Sequence, residues 1–131
     1  MQIPRRFTRE ESGAYADIAF QTASSEIRNP DGSTVFRMDS IEVPAHWSQV
    51  AIDVLAQKYF RKAGVPARLK KVEENDVPSF LWRSVADEKA LADLPEDERY
   101  GSETDARQVF TRLAGTWTYW GWKGGYFASE D

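Results

Sequence analysis

Between Trp47 and Tyr59 the apolar residues fall at Trp47, Val50, Ala51, Val54, Leu55 and Tyr59, with the stem of Lys58 beside them. This is the i, i+3, i+4, i+7 spacing of a helix with one buried side. Ile52 and Ala56 widen the apolar side and Phe60 lies near its end, while Pro44 stands before the stretch and Gly64 and Pro66 after it. A helix over 45–62 is therefore expected, with Lys58, Arg61 and Lys62 favourably placed against the negative end of its dipole. A helix that is apolar on one side cannot stand alone in water, so the rest of the chain must supply something to pack against it.

The preceding residues supply a hairpin. Asn29-Pro-Asp-Gly32 is a strong turn signal, because proline presets one backbone angle and glycine accepts the positive φ that the reversal needs. On either side the chain alternates: Ile18 and Phe20 before it, and Phe36 and Met38 against Val35 and Arg37 after it. This predicts a β-hairpin over 17–43 behind an irregular, charged lead-in at 1–16. Residues 64–101, broken by Pro66, Pro78 and Pro95, read as an irregular connection with a helical turn or two near Asp87 to Leu94. Ser102 to Trp122 carries a second stripe, Ala106, Val109, Leu113, Trp117 and Trp120 with Phe110 beside it, so a second helix is expected over 102–123. Ser102 and Asp105 have the spacing of a capping box, and Gly115 suggests that a neighbouring element approaches closely. The fold class is α+β: an N-terminal β-hairpin plus two main amphipathic helices, in a single domain over 1–131.

Composition mainly excludes. With no cysteine among 131 residues the chain carries no disulfide, thiolate metal site or thiol chemistry of its own. One histidine, His46, excludes two-histidine zinc motifs. A net charge of -4 argues against nucleic acid as a partner, since that binding depends on neutralising phosphates. No apolar run approaches the roughly 20 residues of a membrane helix, and Met1 to Phe7 lacks the apolar stretch of a secretory signal, so a cytoplasmic location without membrane contact is expected.

The run from Trp117 to Phe127, with three tryptophans and Gly121, Gly124 and Gly125, has the content of a stacking platform, but its helical spacing favours tryptophans anchored in a core and glycines at the helix exit. His46 reads as a polar contact at a helix start, Glu73, Glu74 and Asp76 as a solvated acidic patch, and Arg5, Arg6 and Arg9 as exposed charges. No nucleophile, base and orienting group stand at spacings that suggest catalysis.

Several segments, in order, resemble one family. Ser25-Glu-Ile-Arg-Asn-Pro-Asp-Gly-Ser-Thr-Val-Phe36, Ile41-Glu-Val-Pro44 and Trp47-Ser-Gln-Val-Ala-Ile-Asp-Val-Leu-Ala-Gln-Lys-Tyr-Phe60 resemble the N-terminal region of the class II, adenosylcobalamin (vitamin B12)-dependent ribonucleotide reductases. Arg61-Lys-Ala-Gly-Val-Pro-Ala-Arg68, Glu73-Glu-Asn-Asp-Val-Pro78, Leu81-Trp-Arg-Ser-Val85 and Trp120-Gly-Trp-Lys-Gly-Gly-Tyr-Phe127 extend the likeness over nearly the whole chain. The resemblance implies a large parent enzyme that reduces ribonucleoside diphosphates or triphosphates. Its adenosylcobalamin would generate a cysteine thiyl radical, a cysteine pair would supply electrons, and an α/β barrel downstream of this region would house the chemistry.

The chain departs from the full family pattern, having neither cysteine nor the Asn-Ser-Pro substrate segment expected soon after Phe127. No catalytic, cofactor-binding or metal residue is therefore carried over, and the chain alone is expected to be inactive. The expected role is that of a leading segment or small subunit whose partner is the catalytic barrel, in the same parent chain or a separate one. Trp47, Val54, Tyr59, Phe110, Trp117 and Trp120 are the candidate contacts, and most would serve equally in an internal core. The alternative is an independent, non-enzymatic module that grips a partner protein through the tryptophan-rich helix.

Overall fold

The computed structural model describes residues 3–130. Strands β1 (Phe20–Arg28) and β2 (Thr34–Pro44) form an antiparallel hairpin, followed by α1 (Gln49–Val54) with a π-helical continuation over Leu55–Tyr59. Short strands β3 (Val65–Pro66), β4 (Leu69–Lys71) and β5 (Ser84–Ala86), helix α2 (Glu88–Ala92) and strand β6 (Tyr100–Gly101) come next, and α3 (Ala106–Lys123) is last. Met1 and Gln2 of the expected lead-in lie outside the described residues; residues 3–16 carry only turns and bends.

The hairpin closes through Asn29, whose N–H donates to Ser33 O (2.8 Å) and whose carbonyl accepts from Gly32 N–H (2.9 Å), with Gly32 at φ +88. Within the ladder Ala23 faces Ile41 and Ser25 faces Met38, so β2 has one more residue than β1 across that step. Ser40, at φ +56, sits in this bulge. The extra residue reverses the alternation of β2: Phe36 and Met38 lie on the inward face before it, Ile41 and Val43 after it. That face meets Ile52, Leu55, Ala56 and Phe60 of the first helical segment and Ala106 and Val109 of α3, forming the core.

The first helix is shorter than its stripe suggested. Pro44 pairs with Phe20 as the last residue of β2, and Ala45 N–H donates to Ala19 O, so the start of the expected 45–62 span belongs to the hairpin. Ser48 caps the helix, its Oγ accepting from Ala51 N–H at 3.3 Å. At the other end Phe60 N–H donates to Leu55 O, five residues back, and Phe60 is extended. The wide turn buries Phe60 and leaves Tyr59, which the stripe placed inward, 52% exposed. Lys62, beyond the helix, still donates to the free Ala56 carbonyl and stands 4.6 Å from the Phe36 ring centre.

Helix α3 also starts later than expected. Asp105, not Ser102, is the cap: its carboxylate accepts from Arg107 N–H (2.8 Å), and Gln108 Oε1 accepts from Asp105 N–H (3.0 Å), completing a capping box. Just before it, the Glu103 carboxylate is buried and accepts from Arg61 N–H (2.8 Å) and from Nε of Arg112. This staple joins the end of the first helical segment to α3.

The connection over 64–101 is more ordered than its composition suggested. It is a nested excursion, in which β3 pairs with β6 and, inside that, β4 pairs with β5, both antiparallel. Strands of two or three residues are too short to show alternation, and their partners lie far away in sequence. Asp87 caps α2 through Ala90 N–H, and Leu91 on that helix is buried.

Candidate functional site

The first helical segment and α3 diverge from the core to leave an open, apolar groove of about 340 Å³. Trp47, Ala51, Val54, Leu55 and Tyr59 line one side. Val109, Phe110 and Leu113 line the other. The Trp47 and Phe110 rings meet edge to face, 5.7 Å apart at 75°, and join the two walls. Arg112 stands at the rim, its guanidinium donating to Tyr59 O at 2.7 Å while Nε holds Glu103.

The groove brings together four of the six nominated contacts: Trp47, Val54, Tyr59 and Phe110. Trp117 and Trp120 lie one and two turns farther along α3, 62% and 63% exposed. For these two residues the structure overturns the expectation that helical spacing anchors them in a core. The first helical segment crosses α3 near its start, where Trp47 meets Phe110 and the Tyr59 carbonyl meets Arg112. Helix α3 has 18 residues, about 27 Å at the usual rise, so it runs on well past that crossing. Trp122, by contrast, turns back to the chain, its indole N–H donating to Asp76 O at 2.7 Å. Gly124 closes the helix and Gly125 adopts φ +73, so the glycines do mark its exit.

Among the remaining nominated residues Glu74 makes structural contacts and the others are exposed. Glu74 accepts from Tyr119 OH (2.8 and 2.9 Å) and Lys123 Nζ (3.0 Å), tying the nested excursion to the end of α3, while Glu73 and Asp76 are exposed as expected. The Tyr119 hydrogen bond, followed by that of Lys123, holds the Glu74 carboxyl below its ordinary pKa. No group of acidic and histidine residues among those described is placed to hold a metal ion. His46 is exposed in the turn before Ser48, and Arg5, Arg6 and Arg9 are exposed. Among the described residues nothing lies within 4 Å of where a Gly115 Cβ would stand, so the close approach expected there does not occur among them. Among the described residues no helix is long and apolar enough to cross a membrane.

Sequence reasoning identified both stripes but missed Glu103. A buried carboxylate whose partners are 42 and 9 residues away leaves no local signal.

Comparison with known proteins places this architecture. The N-terminal family model described as class II vitamin B12-dependent ribonucleotide reductase matches residues 21–131. A vitamin B12-dependent ribonucleotide reductase of Agrobacterium fabrum is 75% identical over 131 residues, all of this chain and 10% of the relative. One from Bradyrhizobium diazoefficiens is 68% identical over the same span and share. One from Rhodopirellula baltica is 29% identical over 117 residues, 89% of this chain and 8% of that relative. The chain thus spans about a tenth of the length of these relatives. With the family model matched over most of its length, this chain belongs to the class II vitamin B12-dependent ribonucleotide reductase family, as an N-terminal region of such an enzyme.

Proposed function

We propose that this chain is a non-catalytic structural element of a cytoplasmic reductase that converts ribonucleotides to deoxyribonucleotides for DNA synthesis, and that it buttresses the catalytic portion. The observation that carries this reading is the stripe of α3, buried at Ala106 and Val109 but open at the groove and exposed at Trp117 and Trp120, in a chain one tenth the length of its relatives. Monomeric proteins rarely leave large contiguous apolar patches exposed without a use for them.

The chemistry is assigned to the remaining polypeptide. Thiyl radical formation and disulfide-linked reduction need cysteines, and this sequence has none. Nor does the groove between the first helical segment and α3 suit a cobalamin. A corrin carries a rim of amide side chains and a phosphate-bearing tail that need hydrogen-bond partners, whereas only Trp47 and Tyr59 of the groove lining carry a polar side-chain atom. His46, the single imidazole, is outside that lining.

The test compares the full-length reductase, the same enzyme lacking residues 1–131, and the 131-residue chain. The reading predicts ribonucleotide reduction by the first, a severe loss in the second, and neither turnover nor cobalamin binding by the third. Undiminished activity of the shortened enzyme, or turnover by the isolated chain, would contradict it.

A further inference from the structure

The groove and the uncovered end of α3 form one surface, and we propose that a helix from the remaining reductase chain, apolar on the side it presents, lies along it. This rests on the reading that the chain is one part of a larger reductase, and it specifies what covers the surface and where.

The lining chemistry selects the form of the occupant. A seated strand or loop would bring backbone N–H and C=O groups into an apolar site, and buried backbone groups need partners. The groove offers almost none, because its lining is aliphatic and aromatic and the Tyr59 carbonyl at its rim is already taken by Arg112. A helix satisfies its own backbone and presents only side chains.

The spacing agrees. Phe110, Leu113, Trp117 and Trp120 recur at steps of three and four along α3, the ridge pattern into which the side chains of a second helix interlock. The groove beside Phe110 and Leu113 already receives the first helical segment on one side. An added helix would extend that packing along α3, over the turns beyond Leu113 that carry the exposed Trp117 and Trp120.

The length of the relatives supplies the occupant. They carry roughly ten times the polypeptide of this chain, so a segment of the same protein is held near the groove at high effective concentration.

The experiment uses full-length reductase carrying a photo-crosslinking phenylalanine analogue in place of Val54, Trp117 or Trp120, one at a time. Illumination followed by peptide mass spectrometry identifies what each position touches. The expected result is intramolecular crosslinks from all three positions to one helical, apolar segment outside residues 1–131. Crosslinks joining two copies of the chain, crosslinks only within residues 1–131, or none at all would overturn the proposal. The activity of the enzyme lacking residues 1–131 separates the two readings. If that enzyme is inactive and no such crosslink forms, the buttress role stands and this surface is wrong; if it is fully active, the role itself fails.

Discussion

The Glu103 carboxylate, with no exposed side-chain surface, accepts hydrogen bonds from Nε of Arg112 at 3.2 and 3.1 Å. Arg61 adds its backbone N–H and its own Nε to the same oxygen, so one buried acid holds the end of the first helical segment against α3. Replacing Glu103 by Gln keeps the shape and removes the charge that both guanidinium groups face. The Glu103→Gln chain should lose about 2 kcal/mol of stability in urea denaturation, the scale of a buried hydrogen bond to a charged group. An unchanged midpoint would show that the staple contributes nothing.

The same group sets an acid limit. Burial alone would raise the pKa of Glu103, but hydrogen bonds from Arg112 and Arg61 N–H, with the charges of both arginines, outweigh it, and the pKa falls below its ordinary 4.5. A carboxylate whose folded pKa is depressed stabilises the fold fully above its unfolded pKa and loses that contribution as pH falls through the folded value. Asp105, where burial is likewise outweighed by Arg107, acts in the same direction. Stability should therefore start to fall as pH drops below about 4.5, the reference carboxylate range. Thermal melts from pH 7 to pH 3 should show this slope, and it should be shallower in Glu103→Gln.

Gly115 lies in the interior of α3 with open space where a Cβ would stand. Gly115→Ala should raise the stability of the isolated chain by up to about 1 kcal/mol through helix propensity. Gly121 is the contrast within the same helix. A Cβ there would stand 2.7 Å from two ring atoms of Phe127, so Gly121→Ala must displace that ring and should show little or none of the gain.

How much of this was legible in the sequence depended on the range of the interactions. The Asn29-Pro-Asp-Gly32 turn and the two stripes encode their elements locally, and the α+β class followed from them. The π turn that exchanges Tyr59 for Phe60 and the bulge at Ser40 each shift a side-chain phase by one residue, which no periodicity announces in advance. The nested ribbons at 64–101 and the Glu103 staple depend on partners distant in sequence. For the site, both walls of the groove were readable as stripes, but whether Trp117 was core or surface depended on where the first helical segment crosses α3.

Trp117 and Trp120 separate local stability from assembly. Both side chains are mostly exposed within this chain, so Trp117→Ser and Trp120→Ser should each change the stability of the isolated chain by no more than about 0.5 kcal/mol, as is usual at surface positions. In the full-length reductase the double variant should lower the melting temperature and the yield of soluble enzyme. Equal effects in the two settings would mean that these tryptophans stabilise only their own helix.

The most direct measurement is hydroxyl-radical footprinting of Trp117 and Trp120 in full-length reductase and in the isolated 131-residue chain, read by mass spectrometry. The account predicts rapid oxidation of both indoles in the isolated chain and strong protection in the full-length enzyme. Equal oxidation rates in the two would contradict it, because the surface would then remain open to water with the rest of the enzyme in place.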